Sequence, residues 1–177
     1  KKGRICCLFG GFNHPPNLDG LMWFIKEIYP MVTSRLNEIK LRIVGSNMPQ
    51  DVKELASKNI VIEGYLDDDH LMALYEKVRI SVVPLRYGAG VKGKVLEALR
   101  KGVPVVTTDI GAEGIPECES CLMIENEAES FATRIINVYE SESDLALYSE
   151  RGSIVIEENF SRLSVLEKIS TDFRIEN

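Results

Sequence analysis

Two neighbouring stretches, Pro84-Leu-Arg-Tyr-Gly-Ala-Gly-Val-Lys-Gly-Lys-Val-Leu-Glu-Ala-Leu99 and Gly102-Val-Pro-Val-Val-Thr-Thr-Asp-Ile-Gly-Ala-Glu-Gly-Ile-Pro116, decide how this chain folds. The first runs from a glycine-rich loop into a helix through Val95, Leu96, Ala98 and Leu99. The second begins with a breaker, Gly102-Val-Pro104, and leads into a short buried strand, Val105 to Thr107. Immediately upstream, Arg79 to Val83 is an apolar run of strand length. Strand, loop, helix, strand is the repeating unit of a parallel sheet covered by helices.

The same alternation extends outward in both directions. Ile5 to Phe9 reads as the first strand, followed by a loop with two glycines and two prolines, Gly10 to Leu18. Asp19 is placed to cap the next helix, where Leu21, Met22, Phe24, Ile25, Ile28 and Met31 recur at helical spacing and Pro30 bends or shortens the run. Strands follow at Leu41 to Val44 and Ile60 to Glu63, with a short helix over Val52 to Ser57 between them. Asp67-Asp68-Asp69 fronts a helix through Leu71, Met72, Leu74 and Tyr75, with its acids at the positive end of the helix dipole. Leu122 to Ile124 is a sixth strand, and from Ala128 the chain is helical, with a second helix over Leu145 to Ile156 and a third capped by Ser161 and reaching about Phe173. The expected fold is one α/β domain over residues 1–177. It is a Rossmann-like, doubly wound, mainly parallel sheet of about six strands with helices on both faces and a helical C-terminal tail. Ligands of such sheets sit outside the carboxyl ends of the strands, so loops 10–18, 45–49, 64–67, 84–93 and 108–116 should form one rim.

Composition narrows the function. A net charge of -6 argues against nucleic-acid and anionic-membrane surfaces, which require a basic field. No stretch approaches the roughly 20 apolar residues of a membrane span, and no signal peptide precedes the first strand, so a cytoplasmic protein is expected. The four cysteines, Cys6, Cys7, Cys118 and Cys121, are few for a disulfide framework and are expected to be reduced. No metal site is expected, because the pairs do not supply four convergent ligands. Asn159-Phe-Ser161 fits a glycosylation sequon but reads more simply as a helix-start loop.

Gly88-Ala-Gly90-Val-Lys-Gly93 matches the dinucleotide fingerprint GxGxxG, yet that fingerprint carries meaning in the first strand-to-helix turn, and here it follows the fourth strand. An anion cradle is the better functional reading. Glycines let backbone N–H groups approach a phosphate, a helix N-terminus adds favourable electrostatics, and Lys92 and Lys94 supply charge. Glu97, one turn beyond Lys94, carries a carboxylate suited to vicinal ribose hydroxyls. Spacing alone leaves open a plain glycine loop with a solvated Lys/Glu pair.

Together with Pro16-Asn-Leu-Asp-Gly-Leu-Met-Trp-Phe24, Leu41-Arg-Ile-Val-Gly45 and Ile60-Val-Ile-Glu-Gly64, residues 84–116 resemble the group 1 (family 4) glycosyltransferases over nearly the whole chain. The resemblance implies the C-terminal domain of a GT-B enzyme, which binds a nucleotide-diphosphate sugar while an N-terminal half, absent here, binds the acceptor. Such enzymes usually transfer with retention and without a metal. Membrane association, if any, would come through that other half, and the pathway implied is cell-surface polysaccharide synthesis. By position, Glu97 matches the ribose-binding second member of a Glu-x7-Glu motif whose first member is here Ala89. Gly88, Gly90, Lys92 and Lys94 fall in the diphosphate loop, which resembles the Gly-x-Gly-Thr-Arg-Leu-Lys version of one branch. Gly64, Tyr65 and Leu66 match the loop that recognises the base, leaving UDP, GDP and ADP donors open. No catalytic residue is assigned and no cofactor beyond the donor is implied.

Gly10, Gly11, His14, Arg86 and Glu113 are further candidates for the donor rim, although a lone loop histidine is more often a surface residue. His70 reads as structural, and Trp23 and Phe24 as core. The stripe Phe160, Leu163, Leu166, Ile169 and Phe173 packs either on its own sheet or against the other half. Two other functions compete with transfer: an epimerase or phosphorylase of the same architecture, and a donor-binding module without turnover, which Ala89 keeps open.

Overall fold

The computed structural model describes residues 5–161 and Ser164, and of residues 5–9 the backbone alone. Six strands form one sheet: β1 (Ile5–Phe9), β2 (Lys40–Val44), β3 (Ile60–Gly64), β4 (Val78–Val83), β5 (Val105–Thr107) and β6 (Met123–Ile124). Their spatial order is β3-β2-β1-β4-β5-β6, and every neighbouring pair is parallel. This is the doubly wound α/β fold expected from the alternation of strand and helix, with the strand order reversing direction between β1 and β4.

Side chains alternate across the sheet and feed two cores. On one face Leu41, Ile43, Ile80, Val82 and Val106 pack against α1 (Pro15–Trp23), α2 (Tyr29–Arg35), Val52 of α3 (Gln50–Lys53) and α8 (Ala128–Glu140). On the other face Val78, Val83 and Val105 pack against α4 (Asp68–Tyr75), α5 (Gly93–Arg100) and α9 (Glu142–Phe160). Trp23 and Phe24 are buried as expected, and both rings meet Phe131 of α8 edge to face, at 6.0 and 6.3 Å.

Several expectations change. The loop after β1 ends at His14, not Leu18, because Pro15 and Pro16 open α1: a proline at the first helical position loses no helix hydrogen bond. Asp19 therefore lies inside the helix and does not cap it. Pro30 does not end the run, which continues to Arg35. Lacking an N–H and crowding the carbonyl four residues back, it is preceded by a π-helical turn, Phe24–Ile28, in which the Tyr29 N–H reaches the Phe24 carbonyl. The stretch 108–116 is not all loop. Thr108 caps a one-turn helix, α6 (Asp109–Ala112), its Oγ1 accepting from the Gly111 N–H at 3.3 Å, and a second turn, α7 (Cys118–Cys121), follows. At the C-terminal end α9 begins earlier than expected because Ser141 Oγ accepts from the Asp144 N–H at 3.1 Å. Ser161 Oγ likewise accepts from the Ser164 N–H at 3.1 Å. The helix expected beyond it and the stripe residues Leu163, Leu166, Ile169 and Phe173 lie outside the described residues, while Phe160 packs on the α9 side.

Candidate functional site

At the reversal of strand order the loops after β1 and β4 diverge to opposite faces, and a crevice opens between them. Two helices begin there. α1 starts after His14 and α5 after Lys92, and neither N-terminus is capped by a side chain. The first-turn N–H groups offered to the site are those of α5, because Pro15 and Pro16 carry none and the Asn17 N–H bonds the His14 carbonyl at 3.0 Å; α1 contributes only the positive end of its dipole. The crevice encloses about 220 Å³ and is lined by His14 and Asn17 on one side and by Tyr87, Gly88, Lys92 and Lys94 on the other. No carboxylate lines it.

Lys94, in the first turn of α5, is largely withdrawn from solvent, and burial together with repulsion from Lys92 lowers its pKa to about 8. Its ammonium donates to Asn17 Oδ1. Asn17, itself buried in the first turn of α1, donates through Nδ2 to the Gly11 carbonyl at 2.8 Å. The buried asparagine was not singled out from the sequence; a polar side chain directly after the two helix-opening prolines was the available signal.

Lys92 is only 10% exposed and donates to the Gly90 carbonyl and, at 3.2 Å, to Glu113 Oε2 in the turn after α6. Gly88 and Gly90 hold φ of +123° and +77°, and an added Cβ at Gly90 would meet nothing, so backbone conformation and not space demands glycine. Arg86 is held away from the crevice. Its guanidinium forks onto both oxygens of Asp19, with Nε at 2.8 Å from Oδ2, and lies 5.9 Å over the Trp23 ring. Asp19, unused as a cap, thereby joins α1 to the loop after β4.

Glu97 is half-buried one turn along α5, and its carboxylate makes no hydrogen bond or ion pair among the described residues. It does not line the crevice itself. Gly10 and Gly11 form the floor of the loop after β1, where the Gly10 N–H bonds Val44 O at 2.9 Å. His14 is exposed at the mouth. Gly64, Tyr65 and Leu66 sit two strands away at the end of β3, with Gly64 O accepting from the Gly45 N–H at 2.8 Å and Tyr65 77% exposed. The rim expected from the strand ends is therefore continuous from β3 to β5, but the crevice gathers only its β1 and β4 parts.

Cys118 and Cys121 are free thiols; burial lifts Cys121 to about 11, which disfavours a thiolate. Among the described residues no group of three or more His, Cys, Asp or Glu is placed to hold a metal ion. None of their helices is long and apolar enough to cross a membrane. His70 bonds Asp67, the N-cap of α4, as a structural residue would.

The geometry, the uncapped N-terminus of α5 with two ammonium groups, one of them paired with Glu113, beside a crevice lined by no carboxylate, is suited to a polyvalent anion. A Klebsiella pneumoniae protein described as an uncharacterized 44.6 kDa protein in the cps region is 32% identical over 168 residues, 90% of this chain and 43% of that protein. Among solved structures, S. aureus TarM, crystallised with UDP, fondaparinux and alpha-GlcNAc-glycerol, superposes with a TM-score of 0.79 at 21% identity, over 99% of this chain and 36% of that one. Anabaena HepE in complex with UDP and glucose gives 0.75 at 16% identity, over 97% and 48%. A glycosyltransferase from Rickettsia africae gives 0.76 at 18%, over 98% and 48%. The chain thus spans less than half the length of each of these relatives. Residues 3–141 match the family described as Glycosyl transferases group 1, and with most of its length inside that match the chain belongs to the group 1 glycosyltransferases.

Proposed function

We propose that this chain is the donor-binding half of a glycosyltransferase that moves a sugar from a nucleotide-diphosphate sugar to a glycan, lipid or other acceptor bound by an N-terminal half. The observation that carries the reading is the crevice at the β1/β4 switch, where Lys92, Lys94 and the uncapped start of α5 converge. Transfer breaks the bond between the anomeric carbon and a phosphate oxygen, so negative charge builds on the departing diphosphate. Fixed cations and helix dipoles lower the energy of that state without needing to reorganise. In this reading Gly88 and Gly90 offer backbone to the diphosphate, Glu97 accepts from the ribose hydroxyls, and Gly64, Tyr65 and Leu66 meet the base. Retention of configuration, metal-independent transfer and a cytoplasmic site of action belong to the same proposal. The relative from a cps region supports a role in cell-surface polysaccharide synthesis.

Because UDP accompanies several of the structural relatives, it is the first nucleotide to test, with GDP and ADP beside it. Calorimetric titration of the chain should show weak binding of one of them, reduced by Glu97→Ala and by Lys94→Ala; no heat with any of the three would refute the donor site. The chain alone should bind without transferring sugar. Ala89, exposed in the loop where the family resemblance expects an acid, favours a second reading, a donor-binding module without turnover. Sugar transfer by the parent protein, assayed with UDP-sugars, separates the two.

A further inference from the structure

We infer that Asn17 is a positioning residue that holds the Lys94 ammonium at the floor of the crevice and couples its placement to the loop after β1. The inference rests on the donor-site reading above and adds a residue to it. Asn17 is 92% buried, where a polar side chain must be satisfied, and both ends of its amide are engaged. Lysine is a donor only, so Oδ1 has to face Lys94, which leaves Nδ2 to face the Gly11 carbonyl. The orientation is therefore set by chemistry on both sides.

A lysine side chain has four rotatable bonds and no intrinsic preference for one point in space. Among the residues that line the crevice with Lys94, the charged or titratable ones are Lys92 on its own segment, His14 at the start of α1 and Tyr87 from the β4 side, and none is a carboxylate. A neutral amide thus anchors the ammonium without cancelling its charge, whereas an acid at the same place would spend that charge before any anion arrived.

The test compares Asn17→Ala and Asn17→Asp in the full chain, titrating UDP and, as a control without phosphate, uridine. Asn17→Ala should weaken UDP roughly ten-fold, the scale of one hydrogen bond to a charged group, and leave uridine unchanged. It should add nothing in a Lys94→Ala background. Asn17→Asp, nearly isosteric, should weaken UDP at least as much. A purely structural asparagine would show the opposite order, with the aspartate milder than the alanine and uridine affected equally, and that pattern would overturn the inference. Nitrogen NMR of the Lys94 ammonium without nucleotide decides the matter even if no nucleotide binds. Protection from solvent exchange should be lost in Asn17→Ala, and an unchanged signal would overturn the coupling while leaving the donor-site reading to its own titration.

Discussion

Lys94 is the residue on which pH acts. Its pKa in the fold, about 8, lies below its ordinary 10.5, so between those values the unfolded chain holds a proton that the folded chain has released. Stability from this group therefore rises with pH across that window, and below about 8 the full cost of burying the charge is present. Lys94→Met should stabilise the domain at pH 7 by at most about 3 kcal/mol. The gain should shrink toward pH 10.5, measured by urea unfolding at several pH values; a constant difference would contradict it. A bound diphosphate reverses the sign by favouring the charged form. UDP binding near pH 8 to 9 should take up protons, and heats that are identical in buffers of different ionisation enthalpy would exclude this. At the rim, Glu113 competes with any anion for Lys92. Glu113→Gln should raise UDP affinity a few-fold, and a loss of affinity would instead mark the carboxylate as a ligand contact.

Among the elements, α1 matters most to the crevice, because it approaches the end of β4 with nothing between them. A Cβ at Gly20 would stand 2.4 Å from the Pro84 carbonyl oxygen, which is backbone and cannot swing aside. Gly20→Ala should cost roughly 1–3 kcal/mol of stability by forcing the helix outward. It should also weaken nucleotide binding, since Asn17 rides on the same helix; denaturation and titration of one variant test both. Helix positions were legible from the spacing of apolar residues, but several ends were not. Pro15 and Pro16 read as loop residues in isolation and became helix openers in place. The π turn before Pro30 and the single turns α6 and α7 are too short to show any period.

For the molecule as a whole, α8 returns to the face of the sheet that carries α1 and closes the core over Trp23 and Phe24 through Phe131. Phe131→Ala should cost about 3–5 kcal/mol, read as a lower unfolding midpoint; a change under 1 kcal/mol would mean α8 is peripheral. The strands, the class of fold and the rim of loops followed from sequence alone, because apolar runs and breakers are local signals and a parallel sheet puts every strand end on one side. Lys92, Lys94 and Glu97 lie within six residues on one loop and helix, but spacing alone left a plain glycine loop open and the family resemblance singled them out. Asn17 meeting Lys94 across 77 positions, Asp19 holding Arg86 and Glu113 holding Lys92 were not legible in the sequence. Those pairings depend on which strands become neighbours and how closely two helices approach, and only the packed sheet decides that.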